Sequence, residues 1–151
     1  MTYMQEHLKF EALVKNEGLW AALCFLNAQI PHRFTGVYRF DGKVLRNVAL
    51  FDRDAPNVRV GDDFPMVDAP CARVSEHGGQ LVVAEFITDP RFLRSFAPIV
   101  SYCGALIRSP SGTHFGTLCH FDTKRCQTSL QNAALLEELA PFIYAAVKSG
   151  A

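Results

Sequence analysis

The chain has 151 residues, 49% hydrophobic and 20% charged, with 15 Lys plus Arg against 15 Asp plus Glu and no formal net charge. That length and composition fit one globular domain around one core, and the missing basic excess disfavours nucleic-acid binding, which relies on neutralising phosphates. The segment Met1 to His7 lacks the pattern of a secretory signal, and no stretch approaches the ~18 unbroken apolar residues of a membrane span, so the cytoplasm is the expected location.

Residues 5–30 read as helix, with Leu13, Trp20, Leu23, Cys24 and Ile30 on one side. Glu17-Gly18 interrupts that stripe and predicts a bend or break, and Pro31 ends the segment. Two strands, 34–40 and 43–51, join through Asp41-Gly42, a strong hairpin signal. Residues 52–65 read as a loop with extended pieces, punctuated by Pro56, Gly61 and Pro65. Asp68 resembles the N-cap of a short helix at 69–77, with Pro70 in its first turn and Gly78-Gly79 at its end. A strand follows at 80–86, then a loop at 87–99 with about one helical turn. A second hairpin pairs 101–108 with 113–122 through Ser109-Pro110-Ser111-Gly112. The last helix, 129–148, carries Leu135, Leu139, Phe142, Ile143, Ala146 and Val147 at the 3.6-residue period.

The fold class is α+β, a single domain over residues 1–151 whose helical segments, 1–30 and 129–148, bracket a sheet of mostly antiparallel neighbours. The connections 52–68 and 87–99 are long, and loops of that length in a compact domain usually carry function.

Short motifs punctuate this order: Leu26-Asn27, the run Arg33 to Gly42, Pro70-Cys71-Ala72-Arg73-Val74, Asp89-Pro90-Arg91-Phe92, Tyr102 to Ile107, and Gly116-Thr117-Leu118-Cys119-His120-Phe121-Asp122. In this order and spacing the sequence resembles the GAF domains of sensor kinases and diguanylate cyclases. The resemblance implies a six-stranded antiparallel sheet with the terminal helices on one face. On the other face, a loop and short-helix pocket would hold a small molecule. It further implies a sensory role, and with no output domain in the chain a signal would pass to a separate signalling protein.

Free methionine-(R)-sulfoxide reductases are the enzymatic branch that looks like a single GAF domain, and their chemistry rests on a cysteine in the loop before the second hairpin. Residues 87–100 contain none, which argues against that thiol chemistry. The signatures of cyclic-nucleotide and bilin-binding GAF domains are also missing. The resulting expectation is a non-enzyme with no catalytic residues, no metal and no cofactor beyond an unknown small-molecule ligand.

Cys24, Cys71, Cys103, Cys119 and Cys126 form an odd set without a CxxC pair, better suited to small buried side chains than to disulfides or zinc. Cys71, in the first turn of a helix capped by Asp68, is either a thiolate favoured by the helix dipole or a neutral wall of the pocket. His32, His77, His114 and His120 lack ligand spacing and read as surface or turn residues. Arg73, Arg91 and Arg94 read as solvated, with anion recognition as the alternative. Phe64, Phe86, Phe92, Phe96 and Tyr102 crowd the long connections, either walling a pocket or filling it. The candidate ligand-binding residues are Phe64, Cys71, Val74, Phe92, Phe96, Tyr102, Thr117 and Cys119.

Two structural expectations complete the reading. Cys103 should lie opposite Leu118, or opposite Cys119 after a one-residue shift, with no disulfide in either case. Residues 20–30 should pack on the sheet, leaving Phe10, Leu13 and Val14 to meet a second copy in a helical homodimer. The alternative to a sensor is an interaction module with a filled pocket.

Overall fold

The computed structural model describes residues 2–148; Met1 and residues 149–151 of the expected single-domain span lie outside the described residues. The N-terminal segment is two helices, α1 (Tyr3–Glu17) and α2 (Leu19–Asn27), which break at Gly18 as the interrupted stripe predicts. The first begins earlier than expected, because Thr2 and Gln5 form a capping box: Gln5 N donates to Thr2 Oγ1 at 3.1 Å and Thr2 N to Gln5 Oε1 at 2.8 Å. Strands β1 (Phe34–Asp41) and β2 (Val44–Asp52) form the first hairpin, followed by a two-residue β3 (Phe64–Pro65). After a 3-10 helix at Pro70–His77 come β4 (Gln80–Val83), the hairpin β5 (Ser101–Arg108) and β6 (His114–Asp122), and α3 (Leu130–Lys148).

The six strands form one antiparallel sheet in the order β3-β2-β1-β6-β5-β4. Period-two alternation gives the sheet two apolar faces. Val37, Ala49, Phe51, Cys103, Ala105, Ile107 and Leu118 pack under the three helices. Tyr38, Leu45, Leu50, Leu81, Val83, Tyr102, Leu106, Cys119 and Phe121 face the long connections. From α3, Leu136, Leu139 and Ile143 are fully buried, each contributing about 1.5–3 kcal/mol.

Several expectations are corrected. Asp68 does not cap the 70–77 segment; that helix is 3-10, its N-cap is Ala69 and no side chain bonds its first turn. The strand expected at 80–86 stops at Val83, since Phe86 opens a 3-10 turn and is buried. Cys103 lies opposite His120, and Cys119 opposite Gly104, because Arg108 pairs with His114 and Phe115 bulges out of the ladder. The two cysteines also occupy opposite faces, which excludes a bond between them, and all five cysteines are free thiols. Finally, α2 does pack on β1 and β2, but Phe10, Leu13 and Val14 are buried within the same core as α2 and α3. They cannot form the proposed dimer contact, because the break at Gly18 folds α1 back over its own domain instead of projecting it away.

Gly116 sets the closest approach in the sheet. A Cβ there would lie 1.8 Å from the Tyr38 carbonyl oxygen, so β1 and β6 can meet only around a glycine.

Candidate functional site

The sheet face away from the helices divides into an open half and a filled half. The open half is a cleft of about 330 Å³ over β1, β2 and the end of β6. Its floor is built by alternation: Phe34 and Tyr38 come from β1 and Phe121 from β6. The Phe34 and Phe121 rings stack with centroids 4.8 Å apart, and Tyr38 leans on Phe121 at 6.1 Å and on Phe64 at 6.2 Å. Leu50, Val58, Val60, Gly61 and Phe64 form one wall, Pro98 and Ile99 another, with Asp52, Asp62 and Thr123 also lining.

A bulge in β2 holds that wall in place. Val37 pairs with Ala49 but Tyr38 with Asn47, so Val48 is the extra residue and the alternation changes parity. Leu45 and Leu50 therefore share a face although they are five residues apart. Asn47 fastens the loop at this bulge: Gly61 N donates to its Oδ1 at 2.8 Å, and its own N–H donates to Asp63 Oδ1 at 2.8 Å. Leu50 N donates to the Arg59 carbonyl at 2.8 Å, which extends the attachment along the strand.

The filled half contains the thiols. Cys71 from the 3-10 helix accepts hydrogen bonds from Tyr102 Oη at 3.2 Å and Thr117 Oγ1 at 3.0 Å. Burial raises the Cys71 pKa, but hydrogen bonds from Cys119, Thr117 and Tyr102 outweigh it and bring the thiol below its ordinary range. Burial, with Cys71 adjacent, pushes Cys119 well up. The Cys71 backbone N–H, in the first turn of the 3-10 helix, lowers the Cys71 thiol further. The Tyr102 ring folds over Gly104, where a Cβ would lie 2.5 Å from it, and so closes the cluster from above. Phe86 and Phe96 pack together at 4.6 Å and fill the space beyond.

The eight sequence-derived candidates thus fall on one face, in or against one cluster. Phe64 alone of them lines this cleft, and Phe64 and Phe96 line a smaller hollow of about 190 Å³. Cys71, Val74, Tyr102, Thr117 and Cys119 lie beneath the surface, and Phe92 packs at its edge against Phe86. Phe34, Tyr38, Leu50, Asp62 and Phe121 were missed. Aromatic alternation in Phe34-x-x-x-Tyr38, with Gly36 between, was the available signal. The three arginines considered for an anion are engaged: Arg91 binds Asp89 and the Val82 carbonyl, Arg73 binds Glu76, and Arg94 lies over Phe96 at 4.1 Å.

Two histidines correct the surface reading. His32 and His120 are buried at the opposite face, beside Asn27 and Thr35. Asn27 Nδ2 donates to Thr35 Oγ1 at 2.9 Å, and that hydroxyl shares a hydrogen bond with His120 Nδ1, 2.7 Å away. His32 stacks on His120 at 6.0 Å, and both its ring nitrogens lack a hydrogen bond. Burial lowers His32 to about 4 and His120 to about 3. Among the described residues no group of three or more His, Cys, Asp or Glu is arranged to hold a metal, and no helix is long and apolar enough to cross a membrane.

No protein-family model and no curated protein matches the sequence. Solved structures do. The chain is similar to the GAF domain of an Acinetobacter phosphoenolpyruvate-protein phosphotransferase (12% identity, 99% of this chain and 95% of that one, TM-score 0.74). It is similar to the phycoerythrobilin-bound GAF domain of a cyanobacterial phytochrome (12%, 97% and 95%, 0.71). It is also similar to the free methionine-R-sulfoxide reductase of Neisseria meningitidis, solved with its substrate (19%, 99% and 92%, 0.71). At these identities the likeness concerns the backbone, and it spans sensors and an enzyme alike. With six antiparallel strands, helices on one face and long connections on the other, the chain has the GAF fold.

Proposed function

We propose that this protein is a small-molecule-binding regulatory GAF domain without catalytic activity of its own, which reports occupancy of its cleft to a signalling partner. The observation that carries the reading is the cleft itself. It is aromatic-floored, measures about 330 Å³, sits on the face opposite the helices, and has one wall fastened through Asn47. Apolar concavities with a few oriented polar groups are the usual form of ligand sites.

The thiols support the non-enzymatic part. The loop at 87–100 supplies no cysteine, and Cys71 and Cys119 are 3% and 0% exposed, sealed under Tyr102. A sulfoxide would have to displace packed side chains before meeting a nucleophile.

Native mass spectrometry of the purified protein is the direct test. A stoichiometric co-purifying small molecule, lost when Tyr38 is changed to Ala, is the expected result. Turnover of free methionine sulfoxide with a thioredoxin system, abolished in Cys71→Ser, would overturn the non-enzymatic reading. The competing interaction-module reading draws on the filled half, where Phe86, Phe96 and Tyr102 occupy the space beneath the loops. It predicts no bound species and no response of cleft residues to any small molecule.

A further inference from the structure

The charges around the cleft are distributed unevenly. Its lining includes two carboxylates, Asp52 and Asp62, and no Lys, Arg or His. This does not reflect a shortage of cations nearby, because Arg33, Arg46, Arg53 and Arg59 all lie on the surrounding segments. Each is already engaged. Arg33 forks onto Asp52 at 2.7 and 3.0 Å and lies over the Phe34 ring at 4.7 Å. Arg46 spans Asp41 and Asp63. Arg53 reaches the Asn27 and Ile30 carbonyls at 2.7 Å each, under the end of α2. Arg59 lies over the Trp20 ring at 4.3 Å, across the sheet edge.

Asp52 is therefore neutralised by Arg33, and Asp63 by Arg46 and the Asn47 N–H. Asp62, at the rim, has no hydrogen bond or ion pair within the described residues. Below it lie Phe34, Tyr38, Phe64 and Phe121. An anion entering this cleft would meet carboxylates and ring faces, both negative, and the one cation that touches the floor, Arg33 over Phe34, is already paired with Asp52. A neutral apolar molecule would use the rings and leave Asp62 idle. A compact organic cation uses both, since ring faces attract alkylammonium groups and a carboxylate at the mouth supplies the counter-charge.

Resting on the ligand-binding reading above, we propose that the cleft over β1, β2 and β6 takes a small organic cation. Its alkylammonium group would seat against Tyr38, Phe64 and Phe121, with Asp62 as counter-ion. Because Asp62 is exposed, its contribution is salt-dependent. Selectivity then comes mainly from the rings.

The test compares three probes of one shape: choline, its neutral carbon isostere 3,3-dimethyl-1-butanol, and the anion 3,3-dimethylbutanoate. Each is titrated into isotope-labelled protein at 20 mM NaCl while the resonances of cleft residues are followed. The expected result is a choline dissociation constant roughly tenfold below that of the alcohol, with no response to the anion. Asp62→Asn should weaken choline several-fold and leave the alcohol unchanged, and 200 mM NaCl should act in the same direction. Asp62 is exposed and unpartnered, so the variant should fold as the parent does. Equal binding of alcohol and choline, or indifference of choline to Asp62→Asn, would overturn the cation assignment while leaving the cleft a ligand site. If no probe moves a cleft resonance, the cation assignment also falls, and the ligand-binding reading then rests on the native mass spectrum alone.

Discussion

Lowering the pH from 7.5 to 5.0 should destabilise this protein through two residues, His32 and His120. Burial holds them at about 4 and about 3, against 6.5 for a free imidazole. The sign follows from proton counting. Below pH 6.5 the unfolded chain takes up two protons that the folded chain refuses until about pH 4, so stability falls as pH falls. At pH 5.0 the solution is about 1.5 units below the unfolded value of each histidine, and at 1.36 kcal/mol per unit the pair removes about 4 kcal/mol. The window is clean, because the carboxylates held low by partners, Asp41 by Arg46 and Asp52 by Arg33, lose their contribution only below their ordinary range near pH 4. Urea unfolding followed by Trp20 fluorescence at pH 7.5, 6.5, 5.5 and 5.0 measures the slope. In His32→Leu the slope should fall by about half. At pH 7.5 that variant should be at least as stable as the parent, because the imidazole it removes has no hydrogen bond to lose. A urea midpoint that does not move between pH 7.5 and 5.0, or a His32→Leu variant with the parent slope, would refute this reasoning.

Other substitutions test the fold and the cleft. Gly116→Ala should cost more than about 3 kcal/mol or abolish folding, since the added carbon meets the Tyr38 backbone; thermal melting of the variant reads this directly. Leu13→Glu should unfold the domain and not merely dissociate an oligomer, because Leu13 is 9% exposed within the helix-side core; circular dichroism combined with sedimentation separates the two outcomes. Asn47→Ala should cost about 1–2 kcal/mol and should accelerate amide exchange at Gly61, whose N–H loses its acceptor, while the bonds from the backbone N–H of residue 47 to Asp63 and from the Leu50 N–H to the Arg59 carbonyl remain.

The sequence announces its elements through local chemistry. Asp41-Gly42 and Ser109-Pro110-Ser111-Gly112 place both hairpins, and Glu17-Gly18 places the helix break. Register was less legible because both hairpins contain bulges, at Val48 and Phe115, and one extra residue reverses which side chains share a face. That is why Cys103 and Cys119 could be put on adjacent strands while the choice between shared and opposite faces stayed open; the pairing with His120 lies two residues from the Leu118 alternative and so keeps its faces. The site was legible only in part for a related reason. The sequence density of Phe86, Phe92, Phe96 and Tyr102 reflects filling, as rings crowd where they pack on one another. The open cleft is assembled from residues far apart in sequence, Phe34, Leu50, Asp62 and Phe121, which only the strand order β2-β1-β6 brings together. Burial of His32 and His120 was equally hidden, since a histidine four residues after the α2 C-cap, Ala28, gives no sign that it packs beside Asn27 and Thr35.

The cleft also has a physical route to the helices. Val58 and Val60 line it, while Arg59 between them reaches over the edge of β2 and covers Trp20 of α2 at 4.3 Å. Trp20 in turn contacts Phe51 of the helix-side core at 5.6 Å. Arg59 is joined on both sides to cleft-lining residues, so displacing Val58 and Val60 must also move Arg59. A ligand that prefers one position of this segment therefore shifts the Arg59–Trp20 contact to the same extent that it shifts the segment. Trp20 is the sole tryptophan, which makes its emission a direct report of the contact. Saturating the cleft should change Trp20 fluorescence. Arg59→Ala should abolish most of that change while altering ligand affinity by less than about threefold, because Arg59 does not line the cleft. If the fluorescence response survives in Arg59→Ala, or if affinity and response are lost together, the segment is not the link between ligand and helices.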